Sequence, residues 1–245
     1  MGVVGESGSG KTMTIRAITR LLPPGAQVRG EIRFAGRSVP SLSERELRAY
    51  RRDDVGVVFQ DPHAAINPVR RIGDLLTESF RREPRAVRRA AQERAEEILA
   101  QVNIRDPGRV LDLYPHQLSG GMLQRVMIAS VLMRDPKLIL ADEPTTALDV
   151  TTQSEVVALL DEVRRARGAA MIFISHDIEL VAATCDRVLV MYRGRLIESL
   201  TPAQLYAGDI AEPYTAALLA CRPSITERKH RLPVVPSAAY EERYA

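Results

Sequence analysis

The chain has 245 residues, a length for one large domain or a core carrying a subdomain, and its 45% hydrophobic content is ordinary for a globular protein. A net charge of +3 is too small to argue for nucleic acid, and Cys185 and Cys221, far apart and unpaired in spacing, argue against a disulfide framework, a zinc site or an iron–sulfur cluster and fit a reducing cytosol. There is no signal peptide pattern and no apolar run of the ~20 residues that span a bilayer, so any tie to a membrane is expected through a partner.

The first element is a short strand at Val3-Val4, followed by Gly5-Glu6-Ser7-Gly8-Ser9-Gly10-Lys11-Thr12. This is the spacing of a phosphate-binding loop: Gly, four residues, then Gly-Lys-Thr. The glycines let the backbone curl so that successive N–H groups face an anion. Lys11 adds a point charge for the outer phosphates, and the Thr12 hydroxyl is a hard oxygen ligand for Mg²⁺. A helix beginning near Lys11, with Ile15, Ile18, Leu21 and Leu22 as its apolar residues, aims its positive end at the same place.

That helix is expected to stop at Pro23-Pro24-Gly25. A short alternating strand is read at Val28 to Phe34, and the Ser43/Glu46 capping box predicts a helix from Glu44 to Arg51. Val55 to Phe59 is a buried-strand run ending at Gln60, and Asp61-Pro62 stops it. The pattern then turns helical. Ile72, Leu75, Leu76 and Phe80 share one face, and Val87, Ala91, Ala95, Ile98, Leu99 and Val102 stripe a second helix bracketed by Pro84 and Pro107. Lysine occurs only at Lys11, Lys137 and Lys229, so the basic cluster from Arg81 to Arg94 reads as coding bias on a solvated helix face with Glu partners.

Ser119-Gly120-Gly121 opens another helix, whose methionines Met122 and Met133 read as core rather than cofactor contacts. Leu138-Ile139-Leu140-Ala141 is a continuously apolar strand of the buried parallel type and delivers Asp142-Glu143. A helix around Ser154 to Arg167 is capped by Gly168. Met171 to Ile174 is a further buried strand leading to Ser175-His176-Asp177. Val188 to Tyr192, Arg193-Gly194 and Arg195 to Glu198 read as a hairpin, followed by a short helix at Thr201-Pro202 and a last one from Tyr214 to Cys221. The stretch beyond Pro223 is Pro-rich and charged and reads as loosely ordered.

In this order the motifs resemble the nucleotide-binding subunit of an ATP-binding cassette (ABC) transporter, over almost the whole chain. Gly5 to Thr12 matches the Walker A loop, Gln60 the Q-loop, and Leu118-Ser119-Gly120-Gly121-Met122 the signature. Leu138 to Glu143 matches Walker B, Ala147-Leu148-Asp149 the D-loop, and His176 the switch histidine. The implied fold is α/β: a P-loop NTPase (RecA-like) core with a parallel sheet and an inserted helical subdomain. The expected division is 1–61 and 119–200 for the core, 62–118 for the helical subdomain, and 201–245 for a C-terminal extension.

The resemblance implies cofactors and roles. ATP phosphates would lie on Gly5, Glu6, Ser7, Gly8, Ser9, Gly10, Lys11 and Thr12. Mg²⁺ would be met by Thr12, Gln60 and Asp142. Glu143 would orient or deprotonate the attacking water, and His176 would polarise the γ-phosphate. Gln60 would sense the metal and the water. Ser119, Gly120 and Gly121, a second anion site at a helix start, and Asp149 would complete the ATP site of an opposite subunit. His63 and His116 are left as surface or packing residues.

Phe59-Gln60-Asp61-Pro62 with Asn67-Pro68, the run Asp142 to Thr151, and Glu212-Pro213-Tyr214-Thr215 are similar to the oligopeptide, dipeptide and nickel importer ATPases. Leu123, where that group has a basic or polar residue, is a mild departure. The implied role is to power uptake at the cytosolic face of the membrane. Its partners would be two transmembrane permease subunits, a second ATPase of the same or a related chain and, indirectly, a solute-binding protein, with no nucleic acid. Two other readings stand beside it: a soluble ABC ATPase of DNA repair or translation, and a nucleotide-binding fragment without turnover. Family members carry about forty residues before Walker A, early strands and an adenine-stacking aromatic. That aromatic, worth roughly 1–3 kcal/mol by analogy with base stacking, has no counterpart before Gly5, so an N-terminally short fold with an exposed sheet edge is expected.

Overall fold

The structure is a computed structural model, and it describes residues 1–146, 148–221 and 240. In chain order the elements begin with β1 (Gly2–Val4), α1 (Lys11–Ile18), β2 (Arg33–Phe34), β3 (Arg37–Ser38), α2 (Glu44–Ala49) and β4 (Val55–Val58). Helices α3 (Pro62–Ala65), α4 (Ile72–Thr77), α5 (Arg85–Gln101), α6 (Pro107–Leu111) and α7 (Gly120–Leu132) follow. The remainder alternates: β5 (Leu138–Asp142), α8 (Val150–Arg167), β6 (Ala170–Ile174), α9 (Ile178–Thr184), β7 (Val188–Tyr192), β8 (Arg195–Leu200), α10 (Pro202–Ala207) and α11 (Pro213–Ala220). By packing, the chain divides into two compact units: Met1–Arg16 with the chain from Phe173 onward, and Ala17–Ile172.

In the first unit β1 lies between two parallel neighbours, pairing Gly2 with Phe173 of β6 and with Val188 of β7. β8 returns antiparallel to β7, with a bulge at Val190/Met191. All three β1 residues are buried, as a strand covered on both faces requires. Helix α9 lies against β1 so closely that a Cβ on Gly2 would stand 1.9 Å from Val181 Cγ1. Only hydrogen fits there. The sequence pattern did not reveal α9; Asp177 starts it by accepting from the N–H groups of Glu179 and Leu180.

In the second unit β4 and β5 pair in parallel from Val55/Leu138 to Val58/Ala141. Helix α7 crosses β4, where a Cβ on Gly56 would meet Val131 Cγ1 at 2.1 Å. Helices α4, α5, α6 and α7 pack together through Ile72, Leu76, Ala91, Ala95, Ile98, Leu99 and Val102, all buried. Val87 is the exception to the expected stripe, 41% exposed in the first turn of α5. Met133 is buried in the core as expected, Met122 is only half-buried, and Met127, also buried, accepts through Sδ from the Phe59 N–H at 3.2 Å.

Some expected elements differ. The Val28–Phe34 strand contracts to Arg33–Phe34, because Gly30 turns at φ +94° and Val28 is exposed. The capping box of Ser43 and Glu46 forms as expected, but α2 ends at Ala49 and the chain continues as one π-turn, Tyr50–Asp54, into β4. Helix α1 ends at Ile18, before the prolines, with Arg20 in the left-handed region. Helix α8 begins at Val150, not Ser154, because Asp149 caps it. The stretch from Pro223, read from the sequence as loosely ordered, lies outside the described residues apart from Tyr240.

Tyr50 fastens this second unit. Its hydroxyl donates to the Ile18 carbonyl at 3.2 Å and its ring meets Phe34 edge-on at 5.2 Å. Burial, with a smaller push from Asp54, raises its pKa from 10.0 to about 12. The folded chain therefore holds this proton where the unfolded chain has lost it. The associated stability is complete below pH 10 and declines as pH rises from 10 to about 12. Urea melts at pH 8 and pH 11.5 should show this decline, and Tyr50→Phe should lose less stability over the same interval than the wild type.

Candidate functional site

In the first unit the loop between β1 and α1 is closed by its own lysine. Lys11 is only 5% exposed, and its Nζ donates to the carbonyls of Gly5 at 2.8 Å and Glu6 at 2.9 Å. The Ser9 N–H donates to the Glu6 carbonyl, and the Ser9 carbonyl accepts from Gly194 N–H at 2.9 Å, so the β7–β8 turn holds the loop from outside. Gly8 and Gly10 sit at φ +83° and +98°, a region that side chains rarely adopt. Gly5 faces a different constraint: a Cβ there would lie 2.2 Å from the Met191 carbonyl oxygen. Among the described residues the buried Ser9 hydroxyl has no hydrogen-bond partner. A buried polar group of this kind fits a loop built to receive an anionic oxygen. Thr12 follows Lys11 in the first turn of α1.

His176, also in this unit, is exposed between β6 and α9. Its position is set by its neighbours: the Asp177 N–H donates to Ser175 Oγ at 3.0 Å, and the Asp177 carboxylate caps α9.

The second unit carries the other candidates. Gln60 is exposed just beyond β4, ahead of Asp61, whose side chain caps α3 by accepting from His63 N–H at 2.8 Å. Asp142 is the last residue of β5 and is 8% exposed. Glu143 follows at φ +46°, a left-handed conformation that costs a non-glycine residue about 1 kcal/mol or more. Its Oε2 accepts from the Thr146 hydroxyl at 2.9 Å. Asp106 and Asp135 share this conformation at φ +55° and +49°, so the backbone at Glu143 is strained without being unique to it.

Ser119 caps α7 by accepting from the Met122 N–H, with Gly120 and Gly121 opening the helix. Gly121 is needed for packing: a Cβ there would sit 2.8 Å from Thr152 Cγ2. The hydroxyl of that same Thr152 donates to Asp149 at 2.8 Å, and its N–H to the other Asp149 oxygen at 3.0 Å. The Thr152 backbone N–H, then its hydroxyl, lower the Asp149 pKa. Asp149 and the start of α7 thus meet at one threonine. Ala147 of the expected D-loop lies outside the described residues. Leu123, the departure noted in the sequence, is fully buried, where a charge would be costly.

The loop geometry, the parallel strands and the buried carboxylate at a strand's end define a P-loop ATPase. The profile of the ABC transporter family matches residues 1–146, and the chain belongs to that family. It is 44% identical over 239 residues to a probable peptide ABC transporter ATP-binding protein of Sinorhizobium fredii, covering 96% of this chain and 71% of that one. It is 45% identical over 238 residues to a probable D,D-dipeptide transport ATP-binding protein of Escherichia coli, covering 96% and 72%. Among solved structures, a dimeric ATP-binding cassette in a post-hydrolysis state with ADP and Pi matches with a TM-score of 0.71 and 30% identity, covering 82% of this chain and 84% of that one.

The sequence reading did not anticipate the hold that Gly194 has on Ser9, or the contact of Tyr214 with the loop: the Tyr214 hydroxyl accepts from Glu6 N–H at 3.2 Å. Neither has a local signal, since about 185 to 208 residues separate the partners. Gly5→Ala should press a methyl into the Met191 carbonyl, destabilise the fold by about 1–3 kcal/mol and weaken MgATP binding. Thermal melts and nucleotide titration of the purified variant check both.

Proposed function

We propose that this ATPase powers a membrane importer of peptides, with nickel or related small solutes as the narrower alternative cargo. The observation that carries the reading is the loop from Gly5 to Thr12, curled on positive-φ glycines and closed by Lys11. The naming of the relatives supports the peptide cargo. Backbone N–H groups of the loop bind the ATP phosphates, and Lys11 turns its charge toward them when nucleotide arrives. Thr12, Gln60 and Asp142 offer hydroxyl, amide and carboxylate oxygens, the hard donors that Mg²⁺ takes. Bound Mg²⁺ would neutralise charge on the β- and γ-phosphates.

Glu143 orients the attacking water and takes its proton, held in place by Thr146. His176 steadies the γ-phosphate. Ser119, Gly120, Gly121 and Asp149 serve the ATP of a facing ATPase subunit, so turnover needs two chains. Among the described residues no helix is long and apolar enough to cross a membrane. The chain works at the cytosolic face on permease subunits, with a solute-binding protein across the membrane delivering the cargo.

The docking place for a permease segment is a cavity of about 910 Å³ in the second unit, lined by Arg45, Arg48, Arg52, Arg81 and Arg82 against two glutamates. Its excess positive charge favours an acidic segment. Arg81 and Arg82 therefore face a cavity, while Arg89 pairs with Glu93 on the solvated helix face expected from the sequence.

Glu143→Gln should keep MgATP binding, slow turnover about 10²-fold or more and accumulate an ATP-bound dimer on size-exclusion chromatography. Lys11→Ala should lose MgATP binding in an equilibrium titration. Wild-type turnover in Glu143→Gln would remove that residue's assigned role. In proteoliposomes carrying the permease, Arg48→Glu with Arg82→Glu should abolish transport while the isolated subunit hydrolyses ATP within about 2-fold of wild type.

A further inference from the structure

We propose that Tyr214, on α11, is a positioning residue for ATP binding, fixing the phosphate loop through the Glu6 peptide; this rests on the reading of Gly5 to Thr12 as that loop. Tyr214 is fully buried. Its hydroxyl accepts from Glu6 N–H at 3.2 Å, while the carbonyl of the same Glu6 accepts from Lys11 Nζ and from Ser9 N–H. One residue is thus held at both of its backbone polar groups. The N–H side is tied to a helix more than 200 residues away, and the C=O side to the lysine that serves the phosphates.

The far end of this tie is packed and hydrogen-bonded. The Tyr214 ring packs on Tyr192 at 4.5 Å and meets Tyr240 edge-on at 5.8 Å. Glu198, on β8 and only 9% exposed, seats the entry to α11: its Oε1 accepts from Ala211 N–H at 2.8 Å and Glu212 N–H at 3.3 Å. Burial raises the Tyr214 pKa to about 12, so the hydroxyl stays neutral beside a loop that must attract phosphate. A tyrosinate there would repel the ligand. A buried aliphatic residue would fill the same space and leave the Glu6 N–H without a partner, at the cost of its desolvation. The chemistry at this position therefore calls for a phenol, not merely for bulk.

The loop grips phosphate before and during hydrolysis alike, so loosening it should weaken binding without slowing the chemical step. In the purified full chain, Tyr214→Phe keeps the ring and removes the hydroxyl. The expected result is a Kd and KM for MgATP raised about 5-fold, the equivalent of one neutral hydrogen bond, with kcat within 2-fold and an equal loss for MgADP. Glu198→Gln, which weakens the seat of α11 without touching Tyr214, should give a smaller rise of the same kind and serves where Tyr214→Phe folds poorly. Wild-type Kd in both variants, or a fall in kcat with KM unchanged, overturns the proposal. Lys11→Ala separates the two levels. If it still binds MgATP, the loop reading itself fails; if it does not, and Tyr214→Phe binds as wild type, only the role of Tyr214 fails.

Discussion

Turning the backbone from a fully buried strand into a helix within six residues is the constraint from which the loop's arrangement follows. Side chains at Gly8 or Gly10 would strain the curl, and one at Gly5 would strike the Met191 carbonyl. The loop's backbone carbonyls also need partners, since a buried one left unpaired costs free energy. Lys11 takes those of Gly5 and Glu6, and Gly194 takes that of Ser9. The Glu6 N–H is taken by Tyr214. The carbonyls of Gly5, Glu6 and Ser9 and the N–H of Glu6 are thus taken by Lys11, Gly194 and Tyr214.

The remaining candidate residues are placed by one repeated device. Each stands at or beside a helix start whose cap is a short polar side chain: Asp61 after Gln60, Ser119 before Gly120, Asp149 before α8, and Asp177 after His176. A cap satisfies backbone donors that a helix end leaves open, and it fixes the direction from which the chain enters. Asp142, which ends β5, and Glu143 after it are the exceptions. Glu143 stands in a turn at positive φ, tied to Thr146, and stores strain where the others relieve it.

The helical layer of the second unit shows where packing overrides pattern. The apolar stripe of α5 reads correctly from Ala91 onward, because those residues face α4, α6 and α7. Val87 matches the period and still faces solvent, since none of the described residues covers the first turn of the helix on that side. The Val28–Phe34 stretch alternates as a strand should, yet only its last two residues pair. Periodicity reports which face could be buried; a neighbour must still arrive to bury it.

The sequence by itself determined what local chemistry dictates. The phosphate loop, the capping box at Ser43, the buried strand ending at Asp142 and the glycine start of α7 are all short-range patterns with one stable outcome. The motif order carried the family for the same reason, since spacing along a chain is preserved in the sequence. Tertiary structure alone decided which distant groups complete those patterns. That Gly2 must be hydrogen-sized depends on Val181, that Gly121 must be so depends on Thr152, and that Glu6 finds its partner depends on Tyr214. Each of these is a steric or hydrogen-bonding demand between residues that only the folded chain brings within contact distance. No periodicity encodes such a demand.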